Sequence, residues 1–144
     1  MLNRLTANGI AGWLVATLIT GCLPVGTAEG GNSPAVATAV ELMKRDLVSD
    51  LGKEVLMLTV TYPAAGASLP HRHDAQVFVY VLEGTLTMQV QGSPAVTLKP
   101  GEAFYEGPDD VHVVSANSST SKPAKILVVM VKDKRNPVSR SITE

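Results

Sequence analysis

From Glu41 onward the chain alternates between short apolar or alternating runs and clusters of turn-forming residues. Glu54 to Tyr62 (EVLMLTVTY) is rich in β-branched residues and partly alternates. Gln76 to Leu82 (QVFVYVL) is almost entirely apolar, the pattern expected of a strand covered on both faces. Thr85 to Val90 (TLTMQV) alternates polar with apolar, as a strand with one wet face does. Shorter runs follow at 95–98, 103–106 and 111–115, and Lys125 to Val131 (KILVVMV) closes the series. The punctuation is Glu83-Gly84, Gln91-Gly92-Ser93-Pro94, Lys99-Pro100-Gly101-Glu102 and Gly107-Pro108-Asp109-Asp110. Each supplies the residues that tight turns require. Short strands separated by turns at intervals of about eight to twelve residues predict an antiparallel sandwich or barrel. Only Val40, Met43, Leu47 and Leu51 keep helical spacing, and an edge strand followed by a loop fits that segment equally well. No internal repeat points to a second barrel.

The front of the chain follows a different plan. Arg4 and the amino terminus supply positive charge, and Ile10 to Ile19 (IAGWLVATLI) is an apolar run too short to cross a bilayer as a helix. Residues 1–28 therefore read as a secretory signal. Two endings compete. Gly26-Thr27-Ala28 offers the small residues of an ordinary cleavage site, whereas Ile19-Thr20-Gly21-Cys22 resembles the lipobox of bacterial lipoproteins, in which the cysteine is acylated. Both place the domain outside the cytoplasm: periplasmic, secreted, or held on the membrane through Cys22. Residues 29–39, rich in Gly, Ser, Pro and Ala, read as a flexible tether, which leaves residues 40–144 for the folded domain.

Composition narrows the function classes. With 12 basic and 13 acidic residues the formal charge is -1, which gives no electrostatic case for nucleic acid. Lys132, Lys134 and Arg135 form a small cluster that a solvated strand end explains as well as a binding patch. A single cysteine excludes both an internal disulfide and a cysteine-rich zinc site.

Three histidines carry the chemistry that remains. His71 and His73 are two apart, so in an extended segment both imidazoles address the same side. His112 follows a turn at the start of another strand, and barrel pairing would bring it to the same point. Three neutral imidazoles are a sound ligand set for Fe, Mn, Ni, Cu or Zn, with coordination positions left for water or substrate. Tyr80 and Tyr105 read as packing residues at strand ends, and Met57, Met88 and Met130 as core fillers.

The surroundings of these histidines resemble the two motifs of the cupin superfamily. The first is written G-x5-H-x-H-x3,4-E-x6-G. Here Gly66 precedes His71-Arg72-His73 by four residues, and Val79-Tyr80-Val81-Leu82-Glu83-Gly84 supplies the closing glycine. The second is written G-x5-P-x-G-x2-H-x3-N. Pro100-Gly101-Glu102-Ala103-Phe104-Tyr105 opens it and His112 takes the histidine place, while Pro108 and Asn117 each fall one position late and Asp109 replaces a glycine.

The resemblance implies an all-β, antiparallel jelly-roll barrel, often a homodimer, with a divalent metal held inside one end by His71, His73 and His112. One departure bears on function. The place of the motif's glutamate holds Val77, and Gln76 beside it faces the other way unless a bulge intervenes. Glu106, near the second motif, is a candidate stand-in for that carboxylate, but it reads chiefly as a solvated loop residue. Two readings follow for a small-molecule ligand, anionic or aromatic. In one the chain is a metal-dependent oxygenase or isomerase, its apolar lining near Val77, Val79 and Val81 excluding water. In the other it is a non-catalytic barrel that binds a small molecule or a metal at the cell envelope, which the lost glutamate favours. A structural barrel with relic histidines is a weaker third.

Overall fold

In a computed structural model of the chain, the structure describes residues 36–142. The expected signal segment 1–28, with Cys22, lies outside them, as does most of the 29–39 tether. The described residues form eleven strands and no helix: β1 (Thr38–Asp46), β2 (Lys53–Tyr62), β3 (Ala67–Ser68), β4 (His71–Arg72), β5 (Ala75–Glu83), β6 (Leu86–Val90), β7 (Val96–Leu98), β8 (Ala103–Glu106), β9 (His112–Asn117), β10 (Ala124–Asp133) and β11 (Arg140–Ser141). One sheet runs β1-β2-β10-β5-β8. The other runs β11-β4-β9-β6-β7, with β3 also on β9, and every strand pair is antiparallel. The segment with ambiguous helical spacing is thus the edge strand β1, which begins at Thr38, inside the expected tether.

Alternation decides which side chains make the interior. Along β10 every second residue is buried (Ala124, Ile126, Val128, Met130), and β2 and β5 contribute Leu56, Leu58, Val77, Val79 and Val81 from the same side. The opposite sheet closes the core with Leu86, Met88 and Leu98. The inward apolar set is the reason the register holds, since a one-residue slip would turn it to solvent.

Three expectations need correction. β5 is covered on one face only. Its outward residues Phe78, Tyr80 and Leu82 stand in solvent, because apolar composition without a covering layer does not bury a face. Tyr80 and Tyr105 both lie on this outer face, where Tyr105 packs against the Phe78 ring. Met57 is only partly buried, since it points outward from β2, whereas Met88 and Met130 are fully enclosed. Lys132 belongs to no solvated patch: it is buried and forms a 2.8 Å ion pair with Glu54, its partner across β2 and β10.

Asn117 ties the second motif to the frame. Its amide Nδ2 donates to the carbonyls of Pro63 and Lys122 at 2.9 and 2.7 Å, and its Oδ1 accepts from the Ser119 backbone at 2.9 Å. The buried side chain therefore fixes the end of β2 and the 118–122 loop at once.

Candidate metal centre

β4 and β9 pair with His71 opposite His112. Residues directly opposite in an antiparallel pair project from one face, so the register alone sets these two imidazoles side by side, with ring centroids 5.2 Å apart. His73 lies two positions on from His71, and its ring meets that of His71 edge-on at 4.8 Å. Immediately after it Asp74 adopts a positive φ of 48°, a conformation that Asp tolerates better than most residues. That bend turns the chain out of β4 into β5. It is held by ion pairs from Arg72 (3.1 Å) and Arg140 to the Asp74 carboxylate.

The three side chains bring one ring nitrogen each to within 4.8 Å of the others. Two of the rings are oriented from behind. His71 Nδ1 bonds the Leu69 carbonyl at 2.7 Å and His73 Nδ1 bonds the Val138 carbonyl at 2.6 Å. A carbonyl can only accept, so both Nδ1 atoms carry a proton, which in the neutral ring leaves Nε2 with the free lone pair. This is the arrangement that prepares a histidine for a metal. Burial pushes the His71 pKa below its ordinary value, and the neighbouring imidazoles add to the effect against the opposing Leu69 hydrogen bond. His71 is therefore a neutral donor at neutral pH.

His112 is buried beside the Phe104 ring. Neither of its nitrogens has a hydrogen-bond partner. The same is true of Glu106 Oε2, which sits 3.0 Å from His112 Nδ1 without the alignment of a hydrogen bond, and 3.6 Å from His73 Nε2. Unpaired polar atoms at this depth are costly unless something joins them. A cation among these groups would satisfy them, so the donor set fits a divalent metal. Ligands about 2.1 Å from one ion lie at most about 4.2 Å apart, a spread only a little tighter than the one seen.

Glu106 corrects the sequence reading. It is a buried strand residue of β8, 2% exposed, rather than a solvated loop side chain. Val77 is buried at the interior position and Gln76 faces solvent, as alternation requires.

The cluster opens on a cavity of about 690 Å³ inside the barrel. Its walls are mainly apolar, from Leu58, Val60, Val77, Val79, Ile126 and Val128 among others, and they include no lysine or arginine. A hydroxyl cluster interrupts them: Tyr62 Oη and Ser115 Oγ are 2.6 Å apart, and Ser68 Oγ donates to Tyr62 Oη at 3.3 Å.

Two antiparallel sheets folded around a histidine cluster define a small jelly-roll barrel equipped for a metal ion. A family model described as cupin domain matches residues 58–130, half of the chain, and the protein belongs to that family. Among solved structures it is similar to an oxalate oxidase in complex with glycolate (22% identity, TM-score 0.58, covering 74% of this chain and 55% of that one). It is also similar to the polyketide cyclase RemF from Streptomyces resistomycificus (20%, 0.57, 75% and 72%). A third is the DMSP lyase DddQ from Ruegeria pomeroyi (19%, 0.53, 61% and 43%). The chain thus spans less than two-thirds of the lyase and of the oxidase. At these identities the likeness establishes the fold alone. No curated protein matches.

Proposed function

We propose that this cupin binds one divalent metal ion through His71, His73 and His112 and presents it to a small molecule held in the apolar barrel. The carrying observation is the convergence of three ring nitrogens within 4.8 Å, two of them aimed by backbone carbonyls and the third otherwise unpartnered. The metal, when bound, supplies positive charge to attract and polarise an oxygen donor. The chain's own residues do the rest. Val77 and Val79 keep water from the wall beside the centre, and the Tyr62–Ser115–Ser68 hydroxyls offer a second polar contact. Because the cavity lining contains no lysine or arginine, an anionic head has its favourable place at the centre and an apolar or aromatic body fits the walls. Oxalate oxidase, a lyase and a cyclase share the fold, so an oxygenase or isomerase activity accords with this reading. A non-catalytic binder accords with it too. It is favoured by the scarcity of acid–base groups: apart from the histidines, Glu106 is the only strongly ionisable side chain on the described lining.

Metal analysis by mass spectrometry, on protein prepared without a metal-affinity step, checks the proposal. Near one ion per chain is expected, with loss of all of it in the His71→Ala/His112→Ala double variant. A parent that is metal-free and takes up none of Fe, Mn, Ni, Cu or Zn on reloading would end it.

We also propose a homodimer. β1 is exposed along its whole length, including Val40, Leu42 and Met43, and the outer face of β5 in the same sheet exposes Phe78, Tyr80 and Leu82. Apolar surface of that extent on one side is characteristic of interfaces. Sedimentation of the 36–144 region fused behind a soluble leader is expected to give twice the chain mass, with Tyr80→Glu/Leu42→Glu returning it to one. A monomer at tens of micromolar would contradict this.

A further inference from the structure

The three-histidine site has an odd feature: a buried carboxylate lies against it with no cationic side chain to answer it. Among the described ion pairs Glu106 touches only His73 and His112. Its Oε2 accepts no hydrogen bond, and its neighbour across the strands is the apolar Val77. A lone buried carboxylate is one of the more expensive things a fold can contain. No lysine or arginine stands among its described ion-pair partners. The remaining candidate is the ion itself.

Register explains where this carboxylate comes from. β5 and β8 are adjacent antiparallel strands, and Val77 pairs directly with Glu106. Directly opposite residues share a face, with Cβ atoms about 5 Å apart. A side chain from either position therefore reaches the same part of the interior. Resemblance to the first cupin motif puts a glutamate where this chain has Val77. The chain has its acid one strand over, at the position facing that valine.

We propose that Glu106 is the fourth protein ligand, a carboxylate transposed from β5 to β8. This rests on the three-histidine reading above. It makes the site three neutral imidazoles plus one anionic oxygen, so a divalent ion there carries a net charge of +1 rather than +2. An oxygen ligand also shifts the preference toward harder ions such as Mn(II) and Fe(II), relative to three imidazoles alone.

The test is Co(II) titration of the chelator-stripped full chain, followed by the visible d–d bands and by competition with a chromophoric chelator. Three forms are compared: parent, Glu106→Gln, and the exchange variant Val77→Glu/Glu106→Val. Changes in groups that merely support metal ligands cost about 10- to 100-fold in affinity. Glu106→Gln is therefore expected to weaken Co(II) by at least that factor and to alter the d–d spectrum. The exchange variant is expected to recover most of the lost affinity, because the carboxylate returns to the same face. Thermal melting of the metal-free forms separates this from a structural role. A carboxylate that serves the metal rather than the fold should leave apo Glu106→Gln as stable as the parent or more so, whereas a structural contact with His112 predicts a lower melting temperature.

Parent-like Co(II) affinity and spectrum in Glu106→Gln would overturn the assignment, as would a folded exchange variant that binds no better than Glu106→Gln. A parent that binds no Co(II) defeats the underlying three-histidine reading instead. Binding by the parent with no effect of Glu106→Gln defeats only the fourth ligand.

Discussion

Gly84→Ala is expected to destabilise the protein by about 2–5 kcal/mol, a loss that at its upper end brings a domain of ordinary stability close to unfolding. Two costs add. Gly84 turns the chain between β5 and β6 with a φ of +77°, and an L-residue there costs roughly 1–2 kcal/mol. The second cost is steric: a Cβ would lie 2.7 Å from both Cα and Cβ of Ala124 and 2.8 Å from the Pro123 carbonyl oxygen. These atoms begin β10, the strand at the centre of its sheet, so they cannot retreat without disturbing two neighbours, and such overpacking costs about 1–3 kcal/mol. Gly92 supplies the control. Its φ is +83°, yet nothing lies within 4 Å of the corresponding Cβ, so Gly92→Ala should carry the conformational cost alone. Urea denaturation followed by circular dichroism compares the two. Equal midpoint shifts would show that the close approach at Gly84 has no energetic weight.

Lys132→Met is expected to be comparably damaging, at about 3–5 kcal/mol, because it strands the buried Glu54 carboxylate. The ammonium group also donates to the backbone carbonyls of Asn136 at 2.7 Å and Asp133 at 3.1 Å, so the lysine gathers the 133–136 turn as well as pairing across the strands. Glu54→Leu/Lys132→Met removes both charges and should recover most of the loss. The same denaturation assay over the four forms yields the coupling energy. Strictly additive single and double effects would mean that the pair is not coupled.

The barrel was legible because alternation, β-branched residues and turn clusters all report on local backbone geometry. The strands at Glu54–Tyr62, Gln76–Leu82 and Lys125–Val131 needed nothing more. The histidine pair was legible for the same reason, since residues two apart share a face in any strand. Bringing His112 to them took the cupin resemblance, and the structure supplies the cause in the His71–His112 register. What escaped the sequence was two-dimensional. Glu106 sits before Gly-Pro and looks like the start of a loop. Its burial follows from pairing with Val77 on another strand. Lys132 looks solvated until Glu54, distant in sequence, is placed beside it. Phe78 and Tyr80 erred in the opposite sense, because an apolar run says nothing about whether a second layer exists to cover it.

The position of β10 also governs when the molecule can exist at all. β2 and β5 do not pair with each other, and only β10, which ends eight residues before Ser141, joins them. A chain emerging amino-terminus first therefore carries β2 and β5 as unjoined pieces until residues 124–133 have been made. Contacts of such long sequence separation slow folding, since a large loop must close before any of them is gained. The chamber is consequently completed late: His71 on β4 and His112 on β9 are synthesised before the part of its wall that β10 supplies through Ile126, Val128 and Met130.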